Sequence, residues 1–152
     1  MKIHFTYSTE PKEGFELRVP GVDVGTGYDS VDEISGDSLH QVADLQNFIE
    51  YCYRILKKDC RAQFTAPHYS HAKAYESPLT KRQLSESSLQ FASKDWRVAN
   101  KYTECDIIAD FLVEAQFAIT DMAQLRNDEV KNFWAFRYNN VVEAILFTLT
   151  KK

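Results

Sequence analysis

The chain opens on strict alternation. In KIHFTYS (2–8), Ile3, Phe5 and Tyr7 fall on one side, and Lys2, His4 and Thr6 on the other. A period of two, carried by aromatic and β-branched residues, predicts a half-buried strand. After the turn-forming EPKEG, alternation resumes in FELRVPGV (15–22) through Phe15, Leu17 and Val19. The two runs predict an antiparallel β-hairpin. Residues 21–37, GVDVGTGYDSVDEISGD, hold four of the five glycines and predict a loop, with a short strand near Val31 to Ile34.

Beyond this loop the period becomes helical. Ser38 and Gln41 stand as a capping box. Leu39, Val42, Leu45, Ile49, Cys52 and Leu56 follow at steps of three or four, one face of a helix ending at Lys57 and Lys58. RAQFTAPHYSHAKAYESP (61–78) keeps no sustained period and predicts an irregular connection. Residues 85–101 place Leu89, Ala92, Trp96 and Ala99 on one helical face.

Thr103 with Asp106 reads as the next cap, before the strongest apolar stripe: Ile108, Phe111, Leu112, Ala115, Ile119 and Met122. Asn127 caps a last helix, with Asp128 and Glu129 in its first turn. Its stripe is Val130, Phe133, Trp134, Val141, Ala144, Ile145 and Thr148. The short connection at Arg126 and Asn127 predicts an antiparallel helical hairpin over 104–149. The expected fold class is α+β: a small N-terminal antiparallel β-hairpin or sheet packed on a bundle of about four α-helices, one globular domain over 1–152.

Composition narrows the class without naming a function. At 152 residues, 44% apolar and 26% charged, the chain matches an ordinary globular domain. Cys52, Cys60 and Cys105 are odd in number and lack C-x-x-C spacing, which predicts free thiols in a reducing compartment. The first residues hold no apolar run of signal-peptide length. The most apolar segment, 107–119, carries Asp110 and Glu114 and falls short of the roughly 20 residues of a membrane span. A cytoplasmic location is expected.

His68 and His71 stand three apart, beside Tyr69, Tyr75 and Glu76 and between Pro67 and Pro78. The metalloprotease helix needs its histidines four apart with a glutamate beside the first, and zinc needs three or four ligands. A surface loop is the preferred reading. There is no G-x-S-x-G elbow and no Gly-Lys-Ser/Thr phosphate loop. Gly25-Thr26-Gly27 lacks the third glycine of a dinucleotide turn, where Ser30 stands. An EF-hand starting at Asp23 would have Tyr28 where glycine is needed and Ile34 where glutamate is needed. No Glu-x-x-His pair for a carboxylate-bridged di-metal bundle occurs. The expectation is no catalytic, cofactor or metal residues.

Charge layout is the most informative feature. Between Arg18 and Arg54 lie seven acids and no lysine or arginine: Asp23, Asp29, Asp32, Glu33, Asp37, Asp44 and Glu50. On a helical reading Asp106, Asp110 and Glu114 form a second acidic row, and Lys94, Arg97 and Lys101 a basic one. A net charge of −4 and so short a basic row disfavour nucleic acid. The expected function is that of a small acidic cytosolic protein that binds and inhibits a basic protein, as toxin-neutralising immunity proteins and phage anti-defence inhibitors do. Its partner-binding residues would be Asp23, Tyr28, Asp29, Asp32, Glu33, Asp37, Tyr69, Asp106, Asp110 and Glu114. The alternative is a small enzyme or ligand-binding protein with a site built from scattered residues.

Overall fold

The computed structural model describes residues 2–5, 31–37, 39–102, 106–120 and 127–152. Its elements in chain order are β1 (Lys2–Phe5), β2 (Val31–Gly36), a 3-10 turn (Leu39–Gln41), α1 (Leu45–Ile55), β3 (Leu56–Pro67), α2 (Lys73–Glu76), a second 3-10 turn (Gln90–Ala92), α3 (Lys94–Ala99), β4 (Phe111–Ile119), α4 (Asp128–Arg137) and β5 (Val142–Lys151). The strands form one sheet in the order β1-β2-β3-β5-β4. β1, β2 and β3 run parallel, and β5 lies antiparallel between β3 and β4.

This architecture corrects the expected hairpin on a four-helix bundle. Ile3 pairs with Ile34 in a parallel register, so among the described residues the neighbour of β1 is the parallel β2 and not an antiparallel hairpin strand. The proposed second hairpin strand, 15–22, lies outside the described residues. A parallel neighbour requires a crossover; α1 supplies one between β2 and β3.

Asp44 starts α1, and Ser38 does not. The Asp44 carboxylate accepts from the Asn47 backbone N–H at 3.0 Å and from the Asn47 side-chain amide at 2.7 Å. The helix buries Leu45, Phe48, Ile49, Cys52 and Ile55 against the sheet, with the Phe48 ring edge-on to Phe64 at 5.3 Å. It passes directly into β3 at Leu56, whose N–H closes the last turn on the Cys52 carbonyl. Lys57 and Lys58 therefore belong to a strand and not to a last helical turn. Between Leu56 and Arg61 the strand bulges, because Val31 pairs with Leu56 while Glu33 pairs with Arg61. Asp59 turns this bulge at φ 61°, a left-handed conformation that aspartate tolerates better than most residues.

The two segments read as a helical hairpin are strands. In β4 Phe111 is fully buried, and Val113, Ala115 and Phe117 are half-buried on the same side. Leu112, Glu114, Gln116 and Ala118 face out. Two members of the expected stripe contradict a helix outright: Ile108 is 77% exposed and Leu112 is 52% exposed. In β5, Ile145, Phe147 and Leu149 stand opposite Ala66, Phe64 and Ala62 of β3 and complete the core. Asn127 does cap α4, accepting from Val130 N–H at 2.9 Å, but that helix ends at Arg137.

Buried charge anchors the approach to β4. Glu50 of α1 points into the core and accepts the backbone N–H groups of Ile108 and Ala109 at 2.7 and 3.0 Å. Arg97 of α3, also buried, donates to the carbonyls of Phe91, Ile107 and Ala109 at 2.6, 3.1 and 3.0 Å. Glu50, from the seven-acid interval, and Arg97, from the expected basic row, thus hold an irregular segment whose backbone would otherwise be buried unsatisfied.

Candidate functional site at the carboxyl edge of the parallel strands

β2 ends at Gly36 and β3 at Pro67 on the same edge of the sheet. The antiparallel β5 starts there, and β4 finishes there, with Ile119 opposite Val142. In open α/β sheets ligands bind outside the carboxyl ends of the parallel strands, where loops gather polar groups. Three of the four histidines are gathered here: His40 just after β2, and His68 and His71 just after β3.

The loop reading of His68 is corrected by its burial: it is 3% exposed. Its backbone N–H donates to the Glu143 carbonyl at 3.2 Å, extending the β3–β5 ladder by one residue. The ring packs against Tyr69 at 4.4 Å and edge-on to Phe117 at 5.6 Å. Its Nδ1 accepts the Ser70 backbone N–H at 3.3 Å and lies 2.7 Å from the Ser70 hydroxyl. An Nδ1 that accepts leaves the proton of the neutral ring on Nε2, which faces Glu86 Oε2 at 3.9 Å. Desolvation pulls the His68 pKa below its ordinary 6.5, against the opposing charge of Glu86.

The segment 80–84 lies across this edge as a strap. The His40 carbonyl accepts from the backbone N–H groups of Lys81 and Arg82 at 3.0 and 3.3 Å, and Arg82 Nη2 donates to the Ala43 carbonyl at 2.6 Å. Two residues further on, the Leu84 carbonyl accepts from Tyr69 N–H at 2.9 Å, beside the His68–Leu84 bridge. The strap therefore joins the exit of β2 to the exit of β3. A second tie comes from the turn before β5: Asn140, at φ 61°, donates its N–H to the Ser70 carbonyl and accepts from Ala72 N–H at 2.8 Å. Lys73 pairs with Glu143, and the Tyr75 hydroxyl donates to the Tyr69 carbonyl at 2.9 Å. Among the described residues no three His, Cys, Asp or Glu side chains are grouped to hold a metal ion.

The residues expected to form an acidic docking face are dispersed. Asp32 lies near the start of β2, paired with Lys57 at 2.8 Å, and that ammonium holds its carboxyl down at about 2. Glu33 is half-buried within β2, and Asp37 is exposed at its carboxyl end. Asp106 is exposed ahead of β4; Asp110 is half-buried and accepts from Lys94 N–H at 3.0 Å; Glu114 is exposed in mid-strand. These three share no helix face, and β3 and β5 separate β2 from β4. Tyr69 is exposed at the carboxyl edge beside His68. Asp23, Tyr28 and Asp29 lie outside the described residues. Sequence reasoning passed over His40, Arg82 and Glu86, because each acquires its neighbours only when the strap crosses the sheet edge.

A stability measurement reads the state of this edge. The folded pKa of His68 is depressed, as is that of His40, which is also desolvated. The unfolded chain therefore binds these protons more readily. The stabilisation is fully present above the ordinary 6.5 and is lost as pH falls below it. Urea unfolding should show wild type losing stability on acidification from about pH 7.5 to about pH 5, and His68→Gln losing less. Equal losses in both would mean that His68 is solvated.

No protein-family model and no curated protein matches the chain. Solved structures do. A SAM-dependent methyltransferase from Archaeoglobus fulgidus matches with TM-score 0.52 at 14% identity, over 82% of this chain and 61% of that one. The YcgJ protein of Bacillus subtilis gives 0.46 at 15%, over 82% and 66%. A possible histamine N-methyltransferase from Thermotoga maritima gives 0.46 at 18%, over 82% and 57%. The chain thus spans between 57% and 66% of the length of these proteins. The expectation of a non-enzymatic inhibitor or immunity protein is corrected by this likeness, since the fold is similar to that of the Archaeoglobus enzyme and not the small hairpin on a helical bundle on which that expectation stood. No helix among the described residues is long and apolar enough to cross a membrane. By the Archaeoglobus likeness, the fold of this chain is similar to that of SAM-dependent methyltransferases.

Proposed function

We propose that this chain is a methyltransferase-type domain, a small enzyme that takes S-adenosylmethionine and a polar acceptor at the carboxyl edge of β1, β2 and β3. The observation that carries the reading is the coincidence of two things. The sheet resembles that of the Archaeoglobus enzyme, and the edge where such sheets take ligands holds buried polar atoms with no partner: His40 Nδ1, Thr80 Oγ1 and Arg82 Nε.

These atoms fit a polar ligand outside the exits of β2 and β3. β1 is the sheet's edge strand among the described residues. From Phe5 the chain enters residues 6–30, which hold four of the five glycines. When bound, S-adenosylmethionine supplies an electrophilic methyl group. The chain's own contribution at this edge is orientation. His68, its Nδ1 filled by Ser70, keeps its Nε2–H on the side of Glu86 beside the strap, 3.9 Å from that carboxylate. The Tyr69 and Phe117 rings shield the imidazole from water.

Isothermal titration with S-adenosylmethionine and with S-adenosylhomocysteine tests the reading. Saturable binding of both is the expected result. Heats no larger than dilution up to about 1 mM ligand, a bound of roughly 4 kcal/mol in affinity, would remove the cofactor and leave only the fold.

A further inference from the structure

His40, Thr80 and Arg82 leave three polar atoms buried and unpartnered: His40 Nδ1, Thr80 Oγ1 and Arg82 Nε. Most buried polar atoms in native interiors are hydrogen-bonded, because an unmade bond costs the full desolvation of the group, so three such atoms on neighbouring segments call for a common partner. Here all three come from two segments laced together through the His40 carbonyl, with Arg82 further tied to Ala43. His40 itself is only 8% exposed.

Their chemistry has one sign. The Arg82 Nε–H can only donate. The Gln41 side-chain amide nitrogen stands 3.4 Å from His40 Nε2 and can only donate to it. His40 Nε2 is then the acceptor, and the proton of the neutral ring lies on Nδ1, the unpartnered atom. The Thr80 hydroxyl can turn to donate as well. Three donors with no acceptor call for an atom group rich in lone pairs. The surrounding charge allows it: the Arg82 guanidinium is permanent, and exposed Lys81 is adjacent in sequence. The Asp37 carboxylate is the opposing charge felt by His40.

We propose that His40, Thr80 and Arg82 form an oxyanion subsite, binding a carboxylate or phosphate group of a ligand seated at the exit of β2. The subsite deepens the methyltransferase-type reading and rests on it only for the ligand's identity. The oxyanion belongs either to the acceptor substrate or to the amino-acid end of the cofactor; the chemistry is the same.

The test uses the whole chain labelled with 15N and titrated with inorganic phosphate, against sodium chloride at matched ionic strength. The Arg82 Nε–H and His40 Nδ1 resonances should shift together and saturably with phosphate, and not with chloride. Arg82→Lys keeps the charge without the Nε–H and should weaken phosphate binding about tenfold or more. The wild-type spectrum carries the test even if that variant folds poorly. Repeating the titration with saturating S-adenosylhomocysteine separates the sources. Retained shifts assign the subsite to the acceptor, and abolished shifts assign it to the cofactor's carboxylate. Absence of any phosphate-specific shift overturns the subsite and leaves buried water as the partner of these atoms. S-adenosylhomocysteine binding with no phosphate response would overturn this proposal alone.

Discussion

Phe111→Ala should destabilise the protein by about 3–5 kcal/mol, while Leu112→Ala, one residue away, should stay within about 0.5 kcal/mol. Phe111 is 0% exposed, and its ring meets Tyr53 edge-on at 5.2 Å. Truncation removes a large apolar surface and leaves a cavity between β4 and α1 that the ladder to β5 prevents from closing. Leu112 points to the opposite face, where half of it is already in water. Urea denaturation of the two variants reads the difference directly. The contrast also separates the two readings of 107–119. On a helix, both residues would lie in one buried stripe and both substitutions would be costly. Comparable losses would therefore argue against the strand.

Glu50→Ala should be the next most damaging change, at about 2–4 kcal/mol, and Glu50→Gln should cost roughly half as much. One carboxylate oxygen, Oε1, accepts both the Ile108 and Ala109 N–H groups inside the core. Alanine strands both donors. Glutamine keeps an acceptor of the same reach but gives up the charge assistance, which makes such bonds about twice as strong as neutral ones. Arg97 grips the same segment from the other side through the Ile107 and Ala109 carbonyls. The effects of Glu50→Ala and Arg97→Ala should therefore not add, since either loss frees the segment that both hold. Thermal unfolding of the two single variants and the double variant measures this. Full additivity would show that the two side chains act independently.

Features set by a few neighbouring residues were legible in the chain. Asn127 with Asp128 and Glu129 marks a helix start because a cap needs only a side chain reaching an N–H three residues on. Val31–Gly36 is a strand where a short one was expected, and Lys2–Phe5 begins as the alternation predicted. Three long segments were not legible. FLVEAQFAI and VEAILFTLTK are so rich in apolar residues that they satisfy a helical and a strand period together. β3 was hidden by its bulge, which breaks the alternation at Asp59 before Ala62, Phe64 and Ala66 restore it.

The candidate site was half visible. His68 and His71 stood out as a pair, but neither a proline before nor one after them reveals that β3 ends at the ligand edge of a sheet. His40 was read as part of a helix led by Ser38, when Asp44 caps that helix and leaves His40 in the turn after β2. Arg82 carried no signal, because its role depends on contacts with Ala43 and with the His40 carbonyl, some forty residues away.

By itself the sequence determined the Asn127 cap, the strands Lys2–Phe5 and Val31–Gly36, the apolar content sufficient for a core, and the absence of familiar metal and nucleotide motifs. Only the tertiary structure decided which apolar runs became strands. A run that suits both periods takes the form whose backbone partners are available, and here β5 offers a ladder on each side. The same pairing decided where charge would go. It drew Glu50 and Arg97 inward to satisfy the buried backbone around residues 107–109. It also brought the exits of β2 and β3 to one edge, where the strap collects His40, His68 and Arg82. Such contacts join residues remote in the chain, and no local pattern encodes them.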